Sequence, residues 1–250
     1  MKLFARLVTL AQLSRKRNRK TLALAKTIND SSKLNESQQQ EARFQILYSL
    51  ANQWDLEIYN KDLLWLQDKQ FWDARSRFPI RPRQRPDRKF VVWNLAKLAS
   101  SLPGDTAECG VLHGHSSHLI CTACSGNDKI HHVFDSFEGL SDSTENDVPE
   151  YDASFTWKKG DLSIPLKTVQ HNLCQFESVK FYKGWIPTQF AEVADRQFCF
   201  VHVDVDLYEP TRDSLEFFYD RLVTGGVMLC DDYGYTTCPG AQGVRRTRIR

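Results

Sequence analysis

Between residues 106 and 231, short apolar runs alternate with stretches in which apolar positions recur every three or four residues. Runs of four to eight apolar residues bounded by turn residues predict buried strands, and the intervening periodicity predicts helices. Strands are expected at 106–110, 131–135 and 178–182, in the run that opens at Phe198, and in the run that opens at Gly225. Helices are expected at 116–124, at 163–173 with Pro165 in the first turn, and at 211–222. Strand and helix in strict alternation make a parallel sheet with helices on both faces, a doubly wound, Rossmann-like α/β fold. The first hundred residues have a different rhythm. Leu3, Phe4, Leu7, Val8, Leu10 and Ala11 fall at helical spacing, 30–40 is polar, and 44–54, 62–74 and 90–101 predict further helices, the last stopped by Pro103-Gly104. The three prolines within residues 75–89 predict an extended loop. The chain therefore divides into a helical extension, 1–100, and an α/β domain, 101–250.

Charge sharpens this division. The net charge of +2 conceals 20 Lys and Arg against 9 Asp and Glu in residues 1–100 (+11), and 13 against 22 in residues 101–250 (−9). The basic run 75–89 lacks the interleaved aromatic residues of a nucleic-acid platform, so a surface loop or an anionic small-molecule contact is expected there and nucleic acid is not. The leading apolar segment, followed by basic residues 15–20, is read as a helix docked on the body or on a second copy of a homo-oligomer, with peripheral membrane contact as the alternative. Seven cysteines and no recognisable secretory leader give a reducing, cytoplasmic setting as the expectation. Cys121 and Cys124 have the spacing of half a zinc site but lack a second pair.

The chemistry concentrates at the ends of the last two predicted strands. The first of these runs on through His202 to Asp204-Val205-Asp206, and the second ends in Asp231-Asp232. Four carboxylates at the carboxyl edge of neighbouring parallel strands repel one another unless a cation neutralises them, and oxygen ligands select a hard ion such as Mg2+. His202 lies inside its strand and is read as a satisfied buried histidine.

At the first strand, Glu108-Cys109-Gly110 leads through Gly114 into Ser116-Ser117 and a helix, so close backbone approach to an anionic group is expected. Asp135 ends the second strand 25 residues beyond Gly110, the placement of a carboxylate that holds ribose hydroxyls. Together these point to a nucleoside cofactor. No GxxxxGK[ST] is present, which argues against a P-loop nucleotidase.

These motifs, with Asp135-Ser136-Phe137-Glu138-Gly139-Leu140, Lys183-Gly184-Trp185, Gly225-Gly226 and Cys238-Pro239-Gly240-Ala241, resemble the macrocin O-methyltransferase family over about residues 102–241. The resemblance implies a class I methyltransferase sheet, S-adenosylmethionine as cofactor, Mg2+, and a hydroxyl of a sugar-containing small molecule as acceptor. It implies Asp204, Asp231 and Asp232 as metal ligands and Asp206 as general base. Glu108, Gly110, Gly114 and Ser116 would line the methionine part of the cofactor and Asp135 its ribose, with Asp161 and Lys183-Gly184-Trp185 bordering the adenine. The loop 141–157 is a candidate lid. Two departures stand out: His115 where the family has a small residue, and no closing helix and two strands after Ala241, so the sheet is expected to lack its far edge. Two rival readings are a metal-dependent glycosyltransferase using Asp204-Val205-Asp206 as a DxD motif, and a non-catalytic remnant.

Overall fold

A computed structural model of the chain describes residues 38, 44, 47, 48, 51, 67–80, 86–149 and 156–244. The expected leading helix and its basic run therefore lie outside the described residues, as do most of the linker, residues 81–85 of the basic loop and residues 150–155 of the candidate lid. The chain forms two compact units, Met1–Leu64 and Trp65–Arg250, and the second carries the sheet. That unit begins well before residue 101, because helix α2 buries Val92, Ala96 and Ala99 against Ile120 and Phe200.

In chain order the unit contains α1 (Lys69–Ser76), α2 (Pro86–Ala99), β1 (Asp105–Cys109), α3 (His115–Ala123), β2 (His131–Asp135), α4 (Leu166–Asn172), β3 (Val179–Lys183), β4 (Phe198–Val203), α5 (Tyr208–Tyr219), β5 (Leu222–Cys230) and α6 (Pro239–Gly243). The five strands are all parallel in the order β3-β2-β1-β4-β5. β1 and β4 lie side by side at the centre although 93 residues separate their first positions, Asp105 and Phe198, so the chain reverses its direction of travel between them. A crevice opens at the carboxyl end of such a switch point. Among the described residues, no helix is long and apolar enough to cross a membrane, and β5 is the edge strand.

Two sequence expectations are corrected. The basic loop is shorter than 75–89, because Arg75 and Ser76 close α1 and Pro86 opens α2. Proline at the first helical position costs nothing, since the N–H it lacks has no partner there in any helix. The helix expected at 211–222 starts at Tyr208 and stops at Tyr219, leaving Leu222 to begin β5.

The sheet's two faces differ. Toward α5, Ala107, Val201 and Val203 pack with Phe134, Phe198 and Phe218, an aromatic cluster in edge-on contacts at 4.9–5.8 Å. Toward α2 and α3, the central strands carry a polar stripe, Thr106 and Glu108 on β1, His131 on β2 and His202 on β4, all 0–3% exposed. Buried polar groups are tolerated only when bonded. Here Ser117 Oγ donates to Glu108 Oε2, His131 Nε2 donates to Ser117 Oγ at 2.9 Å, and Thr106 Oγ1 donates to His131 Nδ1 at 2.9 Å. Burial keeps His131 neutral, and with the Ser117 proton given to Glu108 this is the order of donors that a neutral ring allows.

Two predictions follow from the packing. Gly110, at φ +79°, ends β1 so close to β4 that an added Cβ would lie 1.9 Å from the Asp204 carbonyl oxygen. Gly110→Ala is expected to lower the unfolding free energy by more than the ~1–2 kcal/mol of the left-handed backbone alone, measured by urea denaturation. Burial pushes the His131 pKa down to about 4. The unfolded chain, with its histidine near 6.5, then takes up a proton before the folded one does, so this stability is present above pH 6.5 and lost as pH falls toward 4. His131→Gln should flatten the dependence of unfolding free energy on pH between 6.5 and 4 by about one proton; an unchanged slope would mean that His131 is charged in the fold.

Candidate active site

The carboxyl ends of β1, β2, β4 and β5 open onto one cavity of about 760 Å³ that reaches from Asp135 to Asp231 and Asp232. Its two ends are built differently.

At the β1–β2 end, Gly110 and Gly114 both have positive φ, and Gly114 is the residue before α3. The chain turns there with no side chain in the way, and the first N–H groups of α3 border the cavity. Ser116 Oγ accepts a 2.5 Å hydrogen bond from Lys89 Nζ. Asp135 accepts the Val111 N–H at 2.8 Å and the Phe137 N–H at 2.6 Å, one on each oxygen, which ties β2 to the β1 turn; burial nonetheless holds its pKa above the ordinary value. Each oxygen keeps a lone pair for a hydroxyl donor. Of the residues the sequence reading assigns to a cofactor, Glu108, Gly110, Ser116 and Asp135 line the cavity, whereas Gly114 does not: a Cβ there would meet Val169 and Leu173. Asp161 is not brought to it: its carboxylate accepts the Lys158 N–H at 2.9 Å within its own turn, and Leu162, Ser163 and Ile164 line the cavity instead. His115 is buried, its ring tilted against Phe78 at 5.0 Å, and burial together with Lys89 and Arg75 presses its pKa down to about 3, so it is neutral.

At the β4–β5 end, the four acids converge as the sequence predicts, and they fall into two groups. Asp204 and Asp231 lie with His202, their ligand atoms all within 4.8 Å of one another, while Asp206 and Asp232 lie with Cys238. In the second group Asp206 sits at φ +60°, a strained conformation for a residue with a side chain. It is held there because its N–H donates to Asp232 Oδ2 at 2.9 Å and its Oδ1 accepts the Cys238 thiol at 3.4 Å.

The cations come from α2. Arg88 Nη2 contacts Asp231 Oδ2 and donates to the Asp231 carbonyl at 2.9 Å; it lies 3.5 Å from Asp232 Oδ1 and 4.0 Å from Asp204 Oδ1. Lys89 Nζ lies 3.7 Å from Asp204 Oδ2. The sequence reading placed these two residues in the basic loop, as a surface segment or a contact to an anionic small molecule, and not beside the acids. Their signal was there, two cations at the start of an amphipathic helix, but nothing in the local pattern connects them with acids more than a hundred residues downstream.

Charge is shared unevenly. Asp231 is held far below the ordinary carboxylate range: burial opposes this, but His202, Lys89 and Arg88 outweigh it. Burial and the charge of Asp204 raise Asp206 to about 6, and burial with Asp204 and Asp206 raises Asp232 to about 8. His202 is raised to about 9, since the carboxylates of Asp231 and Glu108 outweigh its burial. His202 is a buried histidine paired on both sides, as the sequence reading expects: Nδ1 is hydrogen-bonded to Glu108 Oε1 at 2.8 Å, and Nε2, which makes no hydrogen bond, faces Asp231 Oδ1 as an ion pair at 3.8 Å.

The loop after β2 is anchored where it is described. Asp147 is buried and accepts the Tyr208 N–H at 2.7 Å at the start of α5, and Trp157 Nε1 donates to the Thr237 carbonyl at 3.0 Å.

Comparison with known proteins bears on this arrangement. The chain is 30% identical over 152 residues to the 8-demethyl-8-(2,3-dimethoxy-alpha-L-rhamnosyl)-tetracenomycin-C 4'-O-methyltransferase of Streptomyces olivaceus, covering 58% of each protein. It is 28% identical over 150 residues to the demethyldecarbamoylnovobiocin O-methyltransferase of Streptomyces niveus, covering 57% of this chain and 56% of that one. The chain thus matches somewhat over half the length of these relatives. Among solved structures, the O-methyltransferase NovP superposes with a TM-score of 0.54 at 26% identity, over 64% of this chain and 70% of NovP. The calicheamicin methyltransferase CalS11 shares the fold with a TM-score of 0.58 at 17% identity, over 78% of this chain and 86% of CalS11. The family model described as macrocin-O-methyltransferase (TylF) matches residues 94–248, more than half of the chain, and the chain belongs to that family.

Proposed function

We propose that the chain is an S-adenosylmethionine-dependent O-methyltransferase acting on a hydroxyl of a sugar-containing small molecule, with a divalent cation, Mg2+ in the simplest case, at the β4–β5 edge. The observation that carries this reading is the single cavity joining the glycine turn and Asp135 to four acids. The relatives support the reaction class, since both are O-methyltransferases and one of them acts on a rhamnosyl-bearing tetracenomycin.

The residues fit both groups. Gly110 and Gly114 turn the chain at positive φ in close packing, the first on the Asp204 carbonyl and the second on Val169 and Leu173, and Asp135 retains acceptor capacity beside that turn. At the other end, Asp204, Asp231 and Asp232 surround one positively charged atom, Arg88 Nη2, which stands in for an ion at the point where their oxygens converge. An ion at that point would require Arg88 to withdraw. When bound, the cofactor supplies an electrophilic methyl group and the cation a Lewis acid that orients a hydroxyl and lowers its pKa.

The remaining steps belong to the chain. Asp204, Asp231 and Asp232 hold the cation; Asp135 holds ribose hydroxyls; Glu108, Gly110 and Ser116 border the methionine end. Asp206 accepts the hydroxyl proton. Without a cation, burial and the charge of Asp204 raise its pKa to about 6; a cation held by the neighbouring acids would lower it and keep the carboxylate ionised, ready to accept a proton. Its strained backbone and the bonds from Cys238 and to Asp232 fix the direction from which the proton arrives.

Two outcomes test this. S-adenosylhomocysteine is expected to bind the purified chain in titration calorimetry, and Asp135→Ala to weaken it by ~1.5–3 kcal/mol through loss of an ionised acceptor; affinity for UDP with none for S-adenosylhomocysteine would point to a glycosyltransferase. With a rhamnosylated aromatic polyketide as trial acceptor, Asp206→Asn should keep cofactor affinity while lowering single-turnover methylation by about 10²- to 10⁴-fold. If the variant methylates as fast as the wild type, Asp206 is not the base.

A further inference from the structure

The start of α3 gathers hydrogen-bond donors and no acid. The His118 N–H makes the first bond within that helix, to the Gly114 carbonyl at 2.9 Å, so the N–H groups of His115, Ser116 and Ser117 come before it. Gly114 supplies no side-chain cap, and the first turn carries no acidic residue. A helix start of this kind is electropositive and favours an anion. His115 is the first residue of α3, stands where the family has a small residue, and lines the cavity at 7% exposure. Neither of its ring nitrogens has a hydrogen-bond partner among the described residues. Phe78 lies against the ring at 5.0 Å and holds it in place. A neutral imidazole always keeps one N–H to donate, and a buried N–H without an acceptor is a cost that an apolar side chain in the same place avoids.

The charges that face this point are positive. Lys89 Nζ lies 2.5 Å from Ser116 Oγ and 3.7 Å from Asp204 Oδ2, so it spans the gap between the start of α3 and the acids. Burial, Lys89 and Arg75 together keep the His115 ring neutral, and no carboxylate acts on it. An anion at this point meets an ammonium, a helix N-terminus and an imidazole N–H. A carboxylate suits that set, because its two oxygens accept several donors at once and bonds to an ionised acceptor are the strong ones. The functional reading above places the methionine end of the cofactor beside Glu108, Gly110 and Ser116, and that end carries a carboxylate. We propose that His115 and Lys89 hold the carboxylate of the cofactor's methionine, His115 through a ring N–H and Lys89 through its ammonium, so that they set a preference for the complete amino-acid end over nucleosides that lack it. This rests on the cofactor part of that reading and deepens it. Lys89 precedes residue 94, where the family match begins, and His115 departs from the family inside it, so the pair is not part of what the shared core supplies.

Titration calorimetry on the full chain tests this with two probes, S-adenosylhomocysteine and its decarboxylated analogue, which keeps the amine and lacks the carboxylate. The wild type is expected to bind S-adenosylhomocysteine more tightly than the analogue by about tenfold or more. His115→Phe keeps an aromatic ring against Phe78 and removes both nitrogens. It should lower affinity for S-adenosylhomocysteine by about tenfold or more and leave affinity for the analogue within about twofold. Lys89→Met should show the same selective loss, and it decides if His115→Phe fails to fold. Equal losses for the two probes would mean that the side chain only packs the cavity wall. Undiminished affinity for S-adenosylhomocysteine in the variants, or equal affinity of the wild type for both probes, would mean that the carboxylate lies elsewhere. Each of these results overturns the assignment and leaves the cofactor reading intact. Failure of the wild type to bind S-adenosylhomocysteine overturns the cofactor reading, and the assignment with it.

Discussion

The constraint that shapes this molecule is the gathering of five carboxylates, Glu108 and Asp232 buried and Asp204, Asp206 and Asp231 half-buried, along one edge of a parallel sheet. Taking that much negative charge out of water is tolerable only where a positive charge or an N–H stands opposite each group. Glu108 meets His202, Asp231 meets Arg88, and Asp204 meets Lys89. Asp206 has no cation pair and Asp232 shares Arg88, at 3.5 Å, with Asp231 and Asp204, and these two are the acids pushed up to about 6 and about 8. The shortage of positive charge is therefore local, and it falls within the cavity lining. A site short of one cation before any ligand arrives is prepared for an ion; a surplus of arginine and lysine would have filled it.

The strand order accounts for where this shortage can exist. With β1 beside β4, the turns leaving the two strands run to opposite faces, α3 on one side and α5 on the other, and the space between them is not covered by either helix. Gly110 keeps the strands close enough for the Asp204 carbonyl to pack on it. A larger residue would move Asp204 away from the β1 turn and so alter the distance between the two ends of the cavity. The glycine thus serves the placement of the acids as much as the approach of a ligand.

Much of this was legible in the sequence. The strands at 131–135 and around 106, 179, 198 and 225, and the clustering of the four aspartates, all followed from apolar runs ending in acids, because a buried parallel strand leaves little else for its residues to be. The helix boundaries were less legible: proline reads equally as a loop residue and as a helix start, and only the partners of α2 decide between them. Asp161 was placed by its family position, yet its carboxylate closes a local turn, a competition that short acidic side chains often win. His202 was read as a satisfied buried histidine because a histidine in an apolar run usually finds partners; that these are Glu108 and Asp231 depends on strand register, which a single sequence does not display.

The cations were the hardest to read, for a reason that bears on the family. Arg88 and Lys89 precede residue 94, where the family match begins, while the acids they meet lie well inside it. The shared core thus supplies the carboxylates and the glycine turn, and the preceding helix supplies the charges that balance them. α2 is bound to the sheet by Val92, Ala96 and Ala99, so its first turn is delivered to the acids by apolar packing that does not itself depend on charge. Electrostatic attraction then needs only to orient two long side chains over a short distance, and an incoming ion competes with those side chains without having to unfold the helix that carries them.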